Sequence, residues 1–312
     1  MTAFAFVFPG QGSQAVGMLT AWGDHPAVRA TLEEASSALG EDVARLIAEG
    51  PKDLLDLTTN TQPVMLTAGI ACYRAWLAET GRVPAALAGH SLGEYSALVA
   101  AEALTLVDAL PLVRLRAQAM QDAVPVGVGA MAAILGLDSA AVQAGCAEVA
   151  AASGEVVEAV NFNDPKQTVI AGTQAGVDKA CERLKALGAK RALPLPVSAP
   201  FHCSLMKPAA ERLRERLVSI AIAAPKVPVI NNVDVKTEND AAAIRDALYR
   251  QAFGPVRWVE VIQALKARGV QQVIECGPGK VLAGMVKRID SELVSASLFD
   301  PASLAEVKGL LA

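Results

Sequence analysis

The pentapeptide Gly89-His90-Ser91-Leu92-Gly93 constrains this chain more than any other stretch. Ahead of it, Ala85-Ala86-Leu87-Ala88 is a short apolar run with the character of a buried strand. After it, residues Glu94 to Leu104 have helix-forming composition. Strand, sharp Gly-x-Ser-x-Gly turn and helix is the context of a nucleophile elbow. The flanking glycines allow a tight turn and keep bulk away from the serine. The helix that follows aims unpaired N–H groups at that serine, where they would stabilise an anion. Composition alone predicts only about 0.08 copies of the pattern in such a chain. Ser91 therefore reads as an acyl-accepting nucleophile. The plainer alternative is a glycine-rich loop whose serine caps a helix.

Length and composition set the frame. The 312 residues suffice for one large or two unequal domains. Hydrophobic residues make up 53% against 4% aromatic, so the core is built mainly from Ala, Leu and Val. A net charge of -4 argues against a general nucleic-acid binder, which would carry a basic stripe. No uncharged apolar run reaches the length of a membrane span. Met1-Thr2-Ala3-Phe4 lacks the basic start of a secretory signal. The five cysteines (Cys72, Cys146, Cys181, Cys203, Cys276) are scattered and form no CxxC pair. That suits a reduced, cytoplasmic protein without disulfides or a zinc site. With three histidines, no metal cluster is expected.

Along the chain, Ala3 to Phe8 reads as a strand followed by the loop Pro9-Gly10-Gln11-Gly12-Ser13-Gln14. Gly10, Gly12 and Ala15 match a dinucleotide fingerprint, but no second strand ending in an acidic residue follows at the required distance. The loop instead offers backbone N–H groups to a different anion. Residues 27 to 80 read as helices broken at Gly40, Gly50-Pro51 and Asn60, with Pro63 in the first turn of a helix running through Trp76. Thr105 to Asp108 opens a helix that carries Arg114 and Arg116; a helical arginine is ordinarily solvated. The character changes near Val124-Pro125-Val126-Gly127. Strands at 130–135, 156–161, 167–171 and 189–197 and helices at 139–151 and 173–187 give the order β-α-β-β-α-β of a ferredoxin-like unit. Ser198-Ala199-Pro200-Phe201-His202 returns the chain to the larger unit. Helices at 207–220, 241–253 and 258–267 and strands at 227–231 and 273–276 follow. Gly277-Pro278-Gly279-Lys280 is not a phosphate loop, because Val281 stands where Ser or Thr is needed.

A serine hydroxyl needs a base within hydrogen-bond reach. His25, before Pro26, lies in a polar turn and reads as a surface residue. His90 is adjacent to Ser91 and reads as support for the elbow. His202, at the re-entry from the insert, is the best base. Its other nitrogen needs an acceptor, for which Asp234 or a main-chain carbonyl would serve.

Six ordered motifs carry a resemblance that spans residues 4 to about 290. They are Gly10-Gln11-Gly12-Ser13-Gln14, Gly89 to Glu94, Arg116 with Met120, Asn161-x-Asn163, Ala199-Pro200-Phe201-His202 and Gly277-Pro278-Gly279-Lys280. Together they resemble the malonyl-CoA:acyl-carrier-protein transacylase family of bacterial fatty-acid synthesis. The resemblance implies an α/β fold. A large α/β-hydrolase-like subdomain with a mainly parallel sheet (1–126 and 198–312) would carry an inserted ferredoxin-like βαββαβ subdomain (127–197). It implies that Ser91 takes up the malonyl group, that His202 is its base and that Arg116 pairs with the malonyl carboxylate. Gln11 and Leu92 would supply oxyanion N–H donors, and the Gln251 carbonyl would orient the histidine. His90 would be supporting, and bulk at Phe201 would disfavour a methyl branch. Ala117 departs from the glycine that many relatives carry there. Malonyl-CoA is the implied substrate, acyl carrier protein the partner, and no tightly bound cofactor or metal is needed. A cytoplasmic monomer that touches neither membrane nor nucleic acid is expected. Lys190, Arg191, Lys207, Lys280, Lys287 and Arg288 are candidates for docking the acidic carrier. A serine thioesterase, a discrete polyketide-synthase acyltransferase and a non-catalytic carrier-docking module are the alternatives. Arg116 weighs against the thioesterase, because a general esterase needs no cation opposite its serine.

Overall fold

The computed structural model of the chain describes residues 3–125, 127–197 and 199–312. Val126 and Ser198, the expected subdomain boundaries, and Met1 and Thr2 lie outside them. The chain opens with β1 (Phe4–Phe8), followed by α1 (Pro26–Leu39), α2 (Val43–Glu49), α3 (Lys52–Leu55) and the long α4 (Thr58–Thr80). Then come β2 (Ala86–Gly89), α5 (Gly93–Ala100) and α6 (Leu106–Asp122). The middle stretch is β3 (Gly129–Leu135), α7 (Ser139–Ser153), β4 (Val157–Asp164), β5 (Gln167–Thr173), α8 (Gln174–Ala186) and β6 (Arg191–Pro194). The remainder is α9 (Lys207–Val218), β7 (Val229–Ile230), α10 (Ala241–Phe253), α11 (Trp258–Ala267), β8 (Gln272–Cys276), α12 (Val281–Ile289), β9 (Val294–Leu298) and α13 (Pro301–Leu310).

Among the described residues these strands form two sheets. The larger has five parallel strands in the order β7-β2-β1-β8-β9. Helices cover both of its faces, which is why β1, β2 and β8 are buried at every residue. Alternation along β1 sends Phe4, Phe6 and Phe8 to one face and Ala5 and Val7 to the other. On the first face, Phe6 meets Tyr73 and Trp76 of α4 edge-on, with ring centroids 5.9 and 5.6 Å apart. The smaller sheet is antiparallel in the order β4-β5-β3-β6, the strand arrangement of a ferredoxin-like unit. α7 and α8 pack on one of its faces through Val142, Cys146, Val177 and Leu184. The other face, with Met131 and Ala133, packs against Leu195, Val197 and Phe201 and so turns toward the elbow.

β4 ties the two sheets together. Val256 N donates to Val160 O at 2.8 Å and Phe162 N donates to Val256 O at 2.9 Å, so β4 bonds to the chain between α10 and α11. Asp164 pairs with Arg288 at 2.7 Å, and the Glu158 carboxylate accepts from Ser204, two residues after His202.

Three local expectations are corrected. α4 starts at Thr58, so Asn60 is no break and Pro63 sits inside the helix rather than in its first turn. Side chains secure the turn ahead of the proline: Thr61 Oγ1 donates to Leu55 O at 2.7 Å and Asn60 Nδ2 to Leu54 O at 2.8 Å. The expected strands at 189–197 and 227–231 shrink to β6 and β7, the residues that pair in register with β3 and β2. The segment after Lys280, read only as far as its glycine-rich loop, supplies α12, the edge strand β9 and α13.

Candidate active site

The site gathers at the carboxyl ends of β1, β2 and β7, where loops leave a parallel sheet and ligands ordinarily bind. β2 ends at Gly89 and the chain turns at Ser91, whose φ is +52°, before entering α5. A non-glycine residue in this region stores strain that its neighbours must hold. They do so with two side-chain amides. Ser91 N donates to Asn232 Oδ1 at 2.7 Å, and Gln251 Nε2 donates to Ser91 O at 2.9 Å. Gly93 lets the turn close on β1, because a Cβ there would lie 2.0 Å from Phe8 O.

His202, with φ +67°, follows the turn after Pro200 and is 3% exposed. Its Nε2 is 2.7 Å from Ser91 Oγ, and its Nδ1 is 3.0 Å from the main-chain carbonyl of Gln251. A carbonyl only accepts, so the proton resides on Nδ1 and Nε2 is left to accept from the serine hydroxyl. Burial, reinforced by the Arg116 charge, lowers the imidazole pKa from 6.5 to about 3. Asp234 does not orient this histidine. It forms a two-pronged pair with Arg250 at 2.7 and 2.6 Å, which uses both of its oxygens.

Arg116 is the most informative side chain. Helix α6, capped by Thr105 Oγ1 on Asp108 N, carries it into the interior, where it is 2% exposed. Its Nη1 donates to Gln62 Oε1 at 2.8 Å. Its Nη2 donates to Ser91 Oγ at 3.2 Å and to Gln251 Oε1 at 3.1 Å. The Tyr95 ring lies 5.4 Å from the guanidinium carbon. Among the described residues no carboxylate forms an ion pair with it. Burial lowers its pKa, yet a guanidinium remains protonated at neutral pH. Such a cation, beside a serine and lacking a counter-ion, is a seat for an anionic group. Arg114, two residues away, pairs at the surface with Glu41.

The loop after β1 completes the site. A Cβ at Gly10 would lie 2.8 Å from His90 O and 3.9 Å from Leu92 N, so the loop runs in contact with the elbow. Neither Gln11 N nor Leu92 N has a protein acceptor among the described residues. Gln11 Nε2 is anchored to Thr58 Oγ1 at 3.2 Å. Together these elements enclose a cavity of about 140 Å³ that reaches Met120, Met131, Leu195, Val197 and Phe201. His90 borders it, with Nε2 2.9 Å from Asn163 Oδ1 and its ring against Trp258. Burial lowers the His90 pKa. His25 lies apart, with its ring edge-on to Trp22 and Nε2 3.8 Å from Glu79. Among the described residues no group of His, Cys, Asp or Glu could hold a metal, and no helix is long and apolar enough to cross a membrane.

Every site residue expected from the sequence except Asp234 thus borders the cavity or touches a residue that does. Four contributors went unassigned: Gln62, Asn163, Asn232 and Glu94. All four sit within or beside stretches already singled out, but their spacing gave no sign of what they would bond.

A parallel α/β sheet with a serine on an elbow, a histidine at hydrogen-bond distance and a buried arginine defines a protein built to handle acyl groups. The profile described as an acyl transferase domain matches residues 5–307, and the chain belongs to that family. It is 54% identical over 306 residues to the malonyl CoA-acyl carrier protein transacylase of Salmonella typhimurium, covering 98% of both chains. It also superposes on the crystal structure of the acyl-carrier-protein S-malonyltransferase of Burkholderia pseudomallei. That match has a TM-score of 0.96 and 67% identity, and covers 98% of this chain and 99% of that one. A malonyl-transacylase solved in complex with a type II PKS acyl-carrier protein matches with a TM-score of 0.95 and 50% identity. There 97% of this chain and 98% of the other are covered.

Proposed function

We propose that this chain is an S-malonyltransferase that moves a malonyl group from malonyl-CoA to the phosphopantetheine thiol of acyl carrier protein through a malonyl-Ser91 intermediate. The observation that carries the reading is Arg116, a buried cation that forms no ion pair with a carboxylate among the described residues, 3.2 Å from Ser91 Oγ. The malonyl thioester has its own carboxylate three bonds from the reacting carbonyl carbon or nearer, and the planar fork of an arginine binds such a group in two-pronged fashion.

In the first half-reaction, His202 Nε2 takes the proton of Ser91 as Oγ bonds to the thioester carbon. The carbonyl electron pair moves onto oxygen, which the N–H groups of Gln11 and Leu92 receive. Collapse breaks the C–S bond, and the proton on Nε2 passes to the departing sulfur, releasing CoA as its thiol. The second half reverses the roles. His202 takes the proton of the carrier thiol, sulfur attacks the malonyl-serine, and Ser91 regains its proton as the C–O bond breaks. Gln251 O holds the imidazole in the one tautomer that can do both. Phe201 walls the acyl cavity.

The reading takes residues 127–197 as an inserted subdomain and the rest as the unit that carries Ser91. It expects a cytoplasmic monomer without a tightly bound cofactor. Exposed Lys190, Arg191, Lys207, Lys280 and Lys287 are the cations offered to an acidic carrier, whereas Arg288 is already paired to Asp164. The test is to offer a mixture of acyl-CoAs and identify the group on Ser91. A malonyl adduct that passes to carrier protein, and is absent in Ser91→Ala, is expected. Rapid release of free malonate regardless of carrier would make the protein a hydrolase instead.

A further inference from the structure

We propose that Glu94, which never reaches the substrate cavity, is the positioning residue of this site. Its carboxylate fixes Asn232 and Gln251, the two residues that hold the nucleophile, the histidine and Arg116. The proposal rests on the acyl-transfer reading above.

Glu94 lies on the first turn of α5 and is 2% exposed. Its Oε2 accepts from Asn232 N at 2.8 Å and from Gln251 Nε2 at 3.0 Å. Those two residues contact the whole reacting set. The side chain of Asn232 takes Ser91 N and gives its N–H to Gly89 O at 2.7 Å, clamping both sides of the elbow. Gln251 Nε2 holds Ser91 O, its Oε1 receives Arg116 Nη2, and its main-chain carbonyl receives His202 Nδ1. Seen from the cavity, Glu94 is behind the elbow. It borders a separate small space with Leu98, Val229, Glu238 and Ala247.

The carboxylate also decides which way Gln251 points. An ionised carboxylate only accepts, so it draws the NH₂ end of the amide toward itself. The oxygen is left facing Arg116. The reversed amide would set oxygen against carboxylate and NH₂ against guanidinium, two repulsive contacts in a dry interior. Burying a carboxyl group is costly, and burial raises the Glu94 pKa to about 7 against the pull of Arg116 across Gln251, with Asp234 pushing the same way as burial. Space-filling alone would be served better by leucine.

The test compares wild type, Glu94→Leu, Glu94→Gln and Gln251→Met in the rate of acyl loading onto Ser91 from malonyl-CoA and from acetyl-CoA. Displacing reacting groups by about 1 Å costs on the order of 100-fold, and that loss of malonyl loading is expected for Glu94→Leu. Acetyl loading should fall less, because the released Arg116 matters only to the carboxylate. Glu94→Gln keeps an oxygen that accepts the same two bonds and should recover most of the loss. Gln251→Met keeps the carbonyl to His202 but removes the amide, and should erode the malonyl preference as Glu94→Leu does. Glu94→Leu loading malonyl at the wild-type rate would overturn the proposal. So would equal losses for both acyl groups with no recovery in Glu94→Gln. If Glu94→Leu does not fold, an unchanged malonyl preference in Gln251→Met overturns it. A wild-type chain that forms no malonyl adduct would instead sink the acyl-transfer reading itself.

Discussion

Arg116 Nη2 lies 3.2 Å from Ser91 Oγ, so a cation and a nucleophile share one end of the cavity. This pairing fixes where an acyl group with its own carboxylate must lie. Removing one partner of a buried charge-assisted pair typically costs about 2–5 kcal/mol. Arg116→Ala should therefore lower kcat/KM for malonyl-CoA by about 100-fold or more while acetyl-CoA changes by less than about tenfold. Steady-state kinetics with the two thioesters checks this, and equal losses would mean that Arg116 is only structural.

His202 is held neutral far below the usual imidazole range, at a pKa of about 3 against 6.5. In Glu94→Gln, which removes the one other group of this site raised to about 7, the acid limb of kcat/KM, which reports the free enzyme, should therefore be missing between pH 8 and pH 5. A limb at 6.5 would contradict it. Once a malonyl carboxylate offsets the Arg116 charge, His202 protonates more readily, so the limb in kcat should lie at higher pH than that in kcat/KM. Because its folded-state pKa is lowered, this histidine contributes stability above pH 6.5 that is lost as pH falls toward 3. Glu94 and Glu275, both raised from 4.5 to about 7, act in the opposite sense. Their contribution is complete below pH 4.5 and fades as pH rises through 7.

Gly10 tests the backbone donors, which no side-chain deletion at Gln11 or Leu92 removes. A methyl at Gly10 would press on His90 O from 2.8 Å and move the Gln11 N–H away from Leu92 N. Loss of one such donor costs about 100- to 1,000-fold in kcat. Gly10→Ala should show a loss of this order in Ser91 acylation while the circular dichroism spectrum stays native. Undiminished acylation would remove the loop from the reaction.

Asp234→Asn separates the two candidate orienting groups. The Gln251 carbonyl holds His202, and Asp234 holds Arg250 at the half-exposed end of α10. Loading should stay within about twofold of wild type, and thermal unfolding should show a cost of at most about 1 kcal/mol, as for a partly exposed ion pair. A large fall in loading would restore Asp234 to the histidine.

The sequence alone determined the local parts. Periodicity and turn residues located β1, β2, the β-α-β-β-α-β stretch and the helices at 241–253 and 258–267. The scarcity of histidine singled out His202. These are legible because a strand beside a glycine turn, or an apolar helical face, is written in neighbouring residues. What Asp234 would bond was not legible, since two acceptors satisfied the same requirement. The start of α4 was hidden because Pro63 looks like a first-turn residue unless the bonds of Asn60 and Thr61 to Leu54 and Leu55 are known. Only the tertiary structure decided that Arg116 is buried while Arg114 is at the surface, since both lie on one helix and differ only in what packs beside them. It alone brought Asn232 and Gln251, each more than 130 residues from Glu94 in sequence, onto one carboxylate oxygen of Glu94. The physical reason is that burial and hydrogen-bond direction belong to pairs of residues. A chain read in order shows each member of a pair but not the distance between them.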